Sequence, residues 1–126
     1  MANCIIDAEE RALLDASLTG SLTLHLYTTA VAPDGTGGVE VTGGSYAAQT
    51  IMLAAAATVG NDTTKKNSAE VVFPTATASW GTIKGVAIKR SGTIVWRSDP
   101  ALFTQFSVDP PVQVRYAVGE IAAGIG

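Results

Sequence analysis

A chain of 126 residues with a formal charge of −3 has room for one domain that buries about two-thirds of its unfolded surface without a disulfide or metal. Hydrophobic residues make up 47% and charged residues only 15%, where about a quarter of a soluble protein is usually charged. Such a surface is rich in Thr, Ser, Ala and Gly and suits packing against other subunits. The charge balance argues against nucleic-acid binding, which needs a basic face to neutralise phosphates; the basic pairs Lys65-Lys66 and Lys89-Arg90 read as solvated turns.

The one cysteine, Cys4, has no partner for an internal bridge and sits beside Ile5 and Ile6 as a small hydrophobe. The N-terminus lacks the basic region and long apolar core of a signal peptide. The longest apolar run, residues 51–59, is far too short to span a bilayer. These features predict no membrane association, and a protein held in the cytoplasm until it is assembled or released.

Taken in order, Asp7-Ala8-Glu9-Glu10 reads as a helix start, with Asp7 as the cap and Glu10 three residues on, as in a capping box. Leu13, Leu14 and Leu18 follow at helical spacing and Gly20 is placed to end the helix, predicting one short helix over residues 8–18. Leu22, Leu24 and Leu26 then alternate with Thr23, His25 and Tyr27, the period of a strand with one buried face. A glycine-rich loop covers residues 32–38, residues 39–41 form a short strand, and Gly43-Gly44 makes another turn. A strand is predicted over residues 46–53. Residues 54–59 read as extended chain, with helix as the alternative on alanine propensity. Gly60-Asn61-Asp62 and Lys65-Lys66-Asn67 bracket an exposed turn. Ala69, Val71 and Phe73 alternate up to Pro74, residues 83–89 form a strand, and Arg90-Ser91-Gly92 turns it into a hairpin with residues 93–97. Residues 102–108 are ambiguous between Pro100 and Asp109-Pro110-Pro111. Val112, Val114, Tyr116 and Val118 alternate over a last strand, with residues 121–126 as its small-residue tail. Seven or eight short strands at about ten-residue spacing predict a mainly β, antiparallel β-sandwich or jelly roll with one short N-terminal helix, a single unit over residues 1–126.

Reactive chemistry has little to work with. His25 is the only histidine; it shares a strand face with Thr23 and Tyr27, and no nucleophile elbow or oxyanion loop accompanies it. It reads as an exposed or interface residue. One His and one Cys fall short of the ligands of a zinc site. Glu9 and Glu10 open a helix, Asp99 and Asp109 each precede a proline, and Asp34-Gly35-Thr36-Gly37 lacks the pattern of a calcium or phosphate loop. Trp80 and Trp96 suit burial in the core, although exposed tryptophans stack on sugars. No catalytic, cofactor-binding or metal-binding residue, and no cofactor, is predicted.

Several segments carry a resemblance. They are Ala12-Leu13-Leu14-Asp15-Ala16, Leu26-Tyr27-Thr28, the run from Gly38 through Val39, Glu40, Val41, Thr42, Gly43, Gly44, Ser45 and Tyr46 to Gln49, the run from Phe73-Pro74 to Ser79-Trp80-Gly81-Thr82-Ile83, and the hairpin with Trp96. Together they resemble a family of small tailed-bacteriophage virion proteins usually labelled tail-fibre or tail proteins, some of which act on the capsid. The Gly-Gly-Ser-Tyr and Phe-Pro-to-Trp-Gly pieces are the more specific ones. Two features depart from the pattern: Lys89-Arg90 stands where an acidic hairpin residue is often seen, and the half containing Asp109-Pro110-Pro111 is less typical. The resemblance implies a non-enzymatic virion structural protein with a β-sandwich core. On it rests the expectation of an oligomeric capsid decoration (cement) subunit, a trimer for preference, whose partners are the major capsid protein or other virion proteins. The alternative is a tail or tail-fibre module that attaches to the host surface through residues 32–38 and 60–67. An enzyme such as a glycan hydrolase is the third and weakest class, lacking a carboxylate pair.

Overall fold

The computed structural model describes residues 6–60, 62–98 and 103–125. In chain order the elements are α1 (Asp7–Ser17), β1 (Leu22–Thr29), β2 (Val39–Glu40), β3 (Gln49–Ile51), β4 (Ala57–Val59), β5 (Asp62–Lys66), β6 (Val71–Val72), β7 (Gly81–Ile83), β8 (Gly85–Arg90), β9 (Thr93–Arg97), β10 (Phe106–Val108), β11 (Arg115–Tyr116) and β12 (Ala122–Ile125). The chain is therefore mainly β, with one short N-terminal helix, and every strand pairing among the described residues is antiparallel.

The largest sheet is built on β1. Its leucines at 22, 24 and 26 alternate into the interior and are essentially inaccessible, because a strand sends successive side chains to opposite faces. One edge of β1 pairs along β8; the other is shared by β3 near its start and β2 near its end. β8 turns into β9 through Ser91 and Gly92, both at positive φ (52° and 84°), as a two-residue hairpin turn matched to strand twist requires. Before β8 the chain breaks step at Lys84, whose N–H donates to the Tyr27 carbonyl, and β7 leaves to pair with β10. Two further groups, β6 with β11 and β5 between β4 and β12, complete the strands. The arrangement is sandwich-like. Leu24, Leu26, Phe73, Ile83, Ile88 and Val108 lie at its centre with no accessible surface.

Helix α1 closes one side of this core with Leu14 and, at its C-cap, Leu18, while Leu13 faces outward. Arg11 donates to Thr58 Oγ1 (2.8 Å), Lys65 Nζ to Asp15 Oδ1 (2.7 Å), and Arg90 to the Ser17 carbonyl. The cap differs from expectation. Ile6 occupies the cap position, without a side-chain bond, and Asp7 is the first helical residue, so no capping box with Glu10 forms.

Other departures follow from tertiary pairing. Residues 62–66, expected as part of an exposed turn, form β5, which is flanked by strands on both edges and carries the buried Thr63 and Lys65. Asn67, expected at that turn's rim, is 1% exposed. The strand expected over residues 46–53 is confined to β3, and the alternation from Val112 to Val118 yields only β11, with Val112 and Val118 exposed. The supposed tail instead supplies β12, with Ala123 fully buried. Residues 54–59 are extended, ending in β4, and not helical. Cys4, Ile5, Asp99, Pro100, Leu102 and Gly126 lie outside the described residues.

Candidate functional site

Two segments about thirty residues apart in the chain meet in the fold. The turn around Gly43-Gly44-Ser45-Tyr46 packs directly on the run from Phe73 to Trp80. Thr77 N–H and Trp80 Nε1–H both donate to the Gly44 carbonyl (3.0 and 2.9 Å), and Ser45 Oγ bonds Thr77 Oγ1 at 2.9 Å. The Tyr46 ring stacks on Phe73 (centroids 6.2 Å, 13° between planes) and takes Trp80 edge-on (5.3 Å, 86°). Gly44 must be a glycine: its φ is +57°, and a Cβ there would stand 2.8 Å from Trp80 Nε1 and 2.9 Å from the Ala78 carbonyl oxygen. Trp80 is thus buried, as its setting suggested, and its polar edge is satisfied by backbone.

Tyr46 links this junction to a polar cluster on the outer face of the large sheet. Its hydroxyl donates to Glu40 Oε2 (2.7 Å) and accepts from the Leu26 N–H (3.0 Å). Glu40 also holds His25 Nδ1 at 2.6 Å, Lys89 Nζ lies 3.6 Å from its other oxygen, and His25 Nε2 meets Thr23 Oγ1 at 2.7 Å. Burial works against the Glu40 charge, but hydrogen bonds from His25 and Tyr46 and the charges of His25 and Lys89 outweigh it and hold its pKa below the usual value. Burial, with the neighbouring carboxylate, pushes the Tyr46 phenol well above its ordinary range. His25, expected at an exposed or interface position, is part-buried, its side chain 13% accessible.

Thr23, His25 and Glu40 make a hydroxyl–imidazole–carboxylate chain, an arrangement sequence reasoning did not foresee because Glu40 arrives from β2, fifteen residues on. Its surroundings do not suit acyl transfer. Such chemistry needs N–H donors aimed beside the nucleophile, whereas Thr23 lies between paired strands on both sides, opposite Thr50 of β3 and Lys89 of β8. Glu40 is also shared among three partners, which fixes it as the hub of a structural network. Among the described residues no three His, Cys, Asp or Glu side chains group to hold a metal, and no helix is long and apolar enough to cross a membrane.

The glycine-rich loop covers the same face. Val31 and Tyr27 form a small buried cluster with Ala87, against which Ile94 packs. Gly38 lies on the Tyr27 ring so closely that a Cβ would be 3.0 Å from it. Asp34 behaves as a turn residue, its Oδ1 accepting from the Thr36 hydroxyl and N–H. Beside this loop lies a cleft of about 360 Å³ lined by residues 32–35, residues 94–97 and Gly124. Trp96, half-buried against the core, forms part of its wall. Elsewhere Ile6, Leu13 and Val59 are exposed on α1 and the neighbouring strand β4.

The sequence places Lys65 and Asn67 at an exposed turn and gives Asp15 no polar partner. The Lys65–Asp15 pair joins residues fifty apart, and the bond from Lys65, followed by that from the Ala56 N–H, holds the Asp15 pKa low. Only the contact itself identifies it.

No curated protein and no solved structure matches the chain. The family model described as "Podophage GP4 fiber I protein gp80" matches residues 5–99, which include the helix, the whole β1–β8–β9 sheet and both halves of the junction at Gly44 and Trp80. The segment holding Asp109-Pro110-Pro111, already noted as less typical, lies beyond the match. Since the match spans well over half of the sequence, the chain belongs to the podophage GP4 fiber I protein gp80 family and is a bacteriophage virion structural protein.

Proposed function

We propose that the protein is a non-enzymatic subunit of the phage fibre, built into the particle as a homo-oligomer through contacts with other virion polypeptides. The observation that carries this reading is the family match over residues 5–99. The site geometry is consistent with it: the one imidazole is tied into a network that fastens β1, β2 and the Tyr46 turn. Exposed Ile6, Leu13 and Val59 around α1 and β4 offer apolar area for a neighbouring subunit, and burying it on assembly favours the assembled state.

A second reading, a capsid decoration subunit with the major capsid protein as partner, draws support from the low charge content of 15% and from the absence of shaft-like repeats in the sequence. Quantitative mass spectrometry of purified particles against the major capsid protein separates the two. A few copies per particle is the expected result for a fibre. A ratio approaching that of the capsid protein would move the subunit to the shell, and absence from the particle would overturn both.

A further inference from the structure

The cleft beside the glycine-rich loop has an unusual wall. Ile94, Val95, Trp96 and Arg97 are consecutive, and all four line it. The pairing with β8 shifts register within this run, Ile94 standing opposite Lys89 and Trp96 opposite Ile88, so a bulge at Val95 interrupts the alternation and turns the strand's edge toward the cleft. That edge is unoccupied by protein: among the described residues β9 pairs only with β8. Across the cleft stands Gly124 of β12, which pairs only with β5. Residues of two edge strands from different sheets therefore line one opening.

The ladder says which groups point into it. Ser98 N–H donates to the Val86 carbonyl, so Arg97, one residue earlier, directs its N–H and C=O away from β8. At the other end Arg90 and Thr93 close the two-residue hairpin, so Ile94, opposite Lys89, also turns its N–H and C=O outward, the extra residue of the bulge at Val95 letting positions three apart face the same way. A backbone donor and acceptor stand at each end of the cleft wall. Arg97 adds charge: among the described residues its guanidinium donates to the Ser98 carbonyl at 3.3 Å and has no ion pair. Asp34, the acid of the opposite rim, is already engaged by Thr36.

We propose that this cleft receives an extended segment of another virion polypeptide, added as a strand to the β9 edge and carrying an acidic residue against Arg97. Main-chain hydrogen bonds to Ile94 and Arg97 supply the pairing, and the side-chain match at Arg97 supplies register. This rests on the reading of the protein as a subunit of an assembled fibre. A saccharide is the less favoured occupant, because the wall presents a strand edge and Trp96 is packed against the core.

Hydrogen exchange read by mass spectrometry, on the free protein and on purified phage particles, tests it. The expected result is that residues 93–98 gain protection at the two outward amides, of Ile94 and Arg97, exchanging at least tenfold more slowly in the particle. Particles made with Arg97→Glu should incorporate the subunit at least tenfold less, with Arg97→Lys close to wild type. Unchanged exchange over residues 93–98 in particles that contain the protein overturns the strand-addition proposal alone. Protection of the free protein by lipopolysaccharide from the host strain, without other virion proteins, overturns it in favour of a saccharide. Loss of the protein from wild-type particles overturns the fibre reading and this one with it.

Discussion

Replacing Asn67 with alanine should destabilise the protein far more than a substitution at an exposed turn would. The side chain is 1% exposed and makes three hydrogen bonds: Nδ2 donates to the carbonyls of Ala69 and Ala117, both at 2.9 Å, and Oδ1 accepts from the Ile121 N–H at 3.0 Å. It thereby fastens the entry of the C-terminal strand β12 to the end of β5. Net values of about 1 kcal/mol for each bond give roughly 3 kcal/mol, and orphaning the buried Ile121 N–H works in the same direction. That is a large part of the roughly 5–15 kcal/mol by which a domain is stable, equivalent to a fall in Tm on the order of 10 °C. Urea unfolding followed by tryptophan fluorescence measures it, since Trp80 is buried. Asn67→Asp sharpens the test. Its carboxylate would face the two carbonyls, raising its folded pKa, so its stability should be greatest in acid and fall as pH rises. A loss below about 0.5 kcal/mol for Asn67→Ala, the scale of an ordinary surface change, would refute the reasoning.

Tyr116 has a hydroxyl that is buried without a hydrogen-bond partner among the described residues, and burial, with Glu120 nearby, pushes its pKa up to about 12. Tyr116→Phe should therefore be neutral or stabilising by up to about 1 kcal/mol in thermal melts, and a clear loss would show an unrecognised partner. All three tyrosines, Tyr27, Tyr46 and Tyr116, have raised values; the stability this reflects is intact below pH 10 and is lost as pH climbs toward and past 12. Absorbance at alkaline pH should show their ionisation arriving together with unfolding, and a normal titration near pH 10 would contradict the burial. The depressed Glu40 pKa has the opposite sign: its contribution is present above the ordinary value of 4.5 and fades as pH falls below it. The stability gap between wild type and Glu40→Gln should therefore close in acid, and a gap independent of pH would show that the carboxylate charge contributes nothing. Gly44→Ala meets both a positive φ and the Trp80 indole, and should cost about 2 kcal/mol or more; a melt within a degree of wild type would show that the junction yields.

The amino-acid sequence alone determined those features that depend on neighbours in the chain. The alternation of Leu22, Leu24 and Leu26 made β1, the spacing of Leu14 and Leu18 gave α1 its buried face, and Ser91-Gly92 made the β8–β9 hairpin. The family, too, was legible in the Gly-Gly-Ser-Tyr and Phe-Pro-to-Trp-Gly runs, although not the fact that the two run against each other. Only the tertiary structure decided the polar interior. Lys65 and Asn67 look like turn residues because their side chains are polar, and they are buried because Asp15, Ala117 and Ile121, each about fifty residues distant, satisfy them. His25 looked uncommitted until β2 brought Glu40 to it. Periodicity reports which way a side chain points. What it meets there is set by long-range strand pairing, and a buried polar group is tolerable only once that partner has arrived.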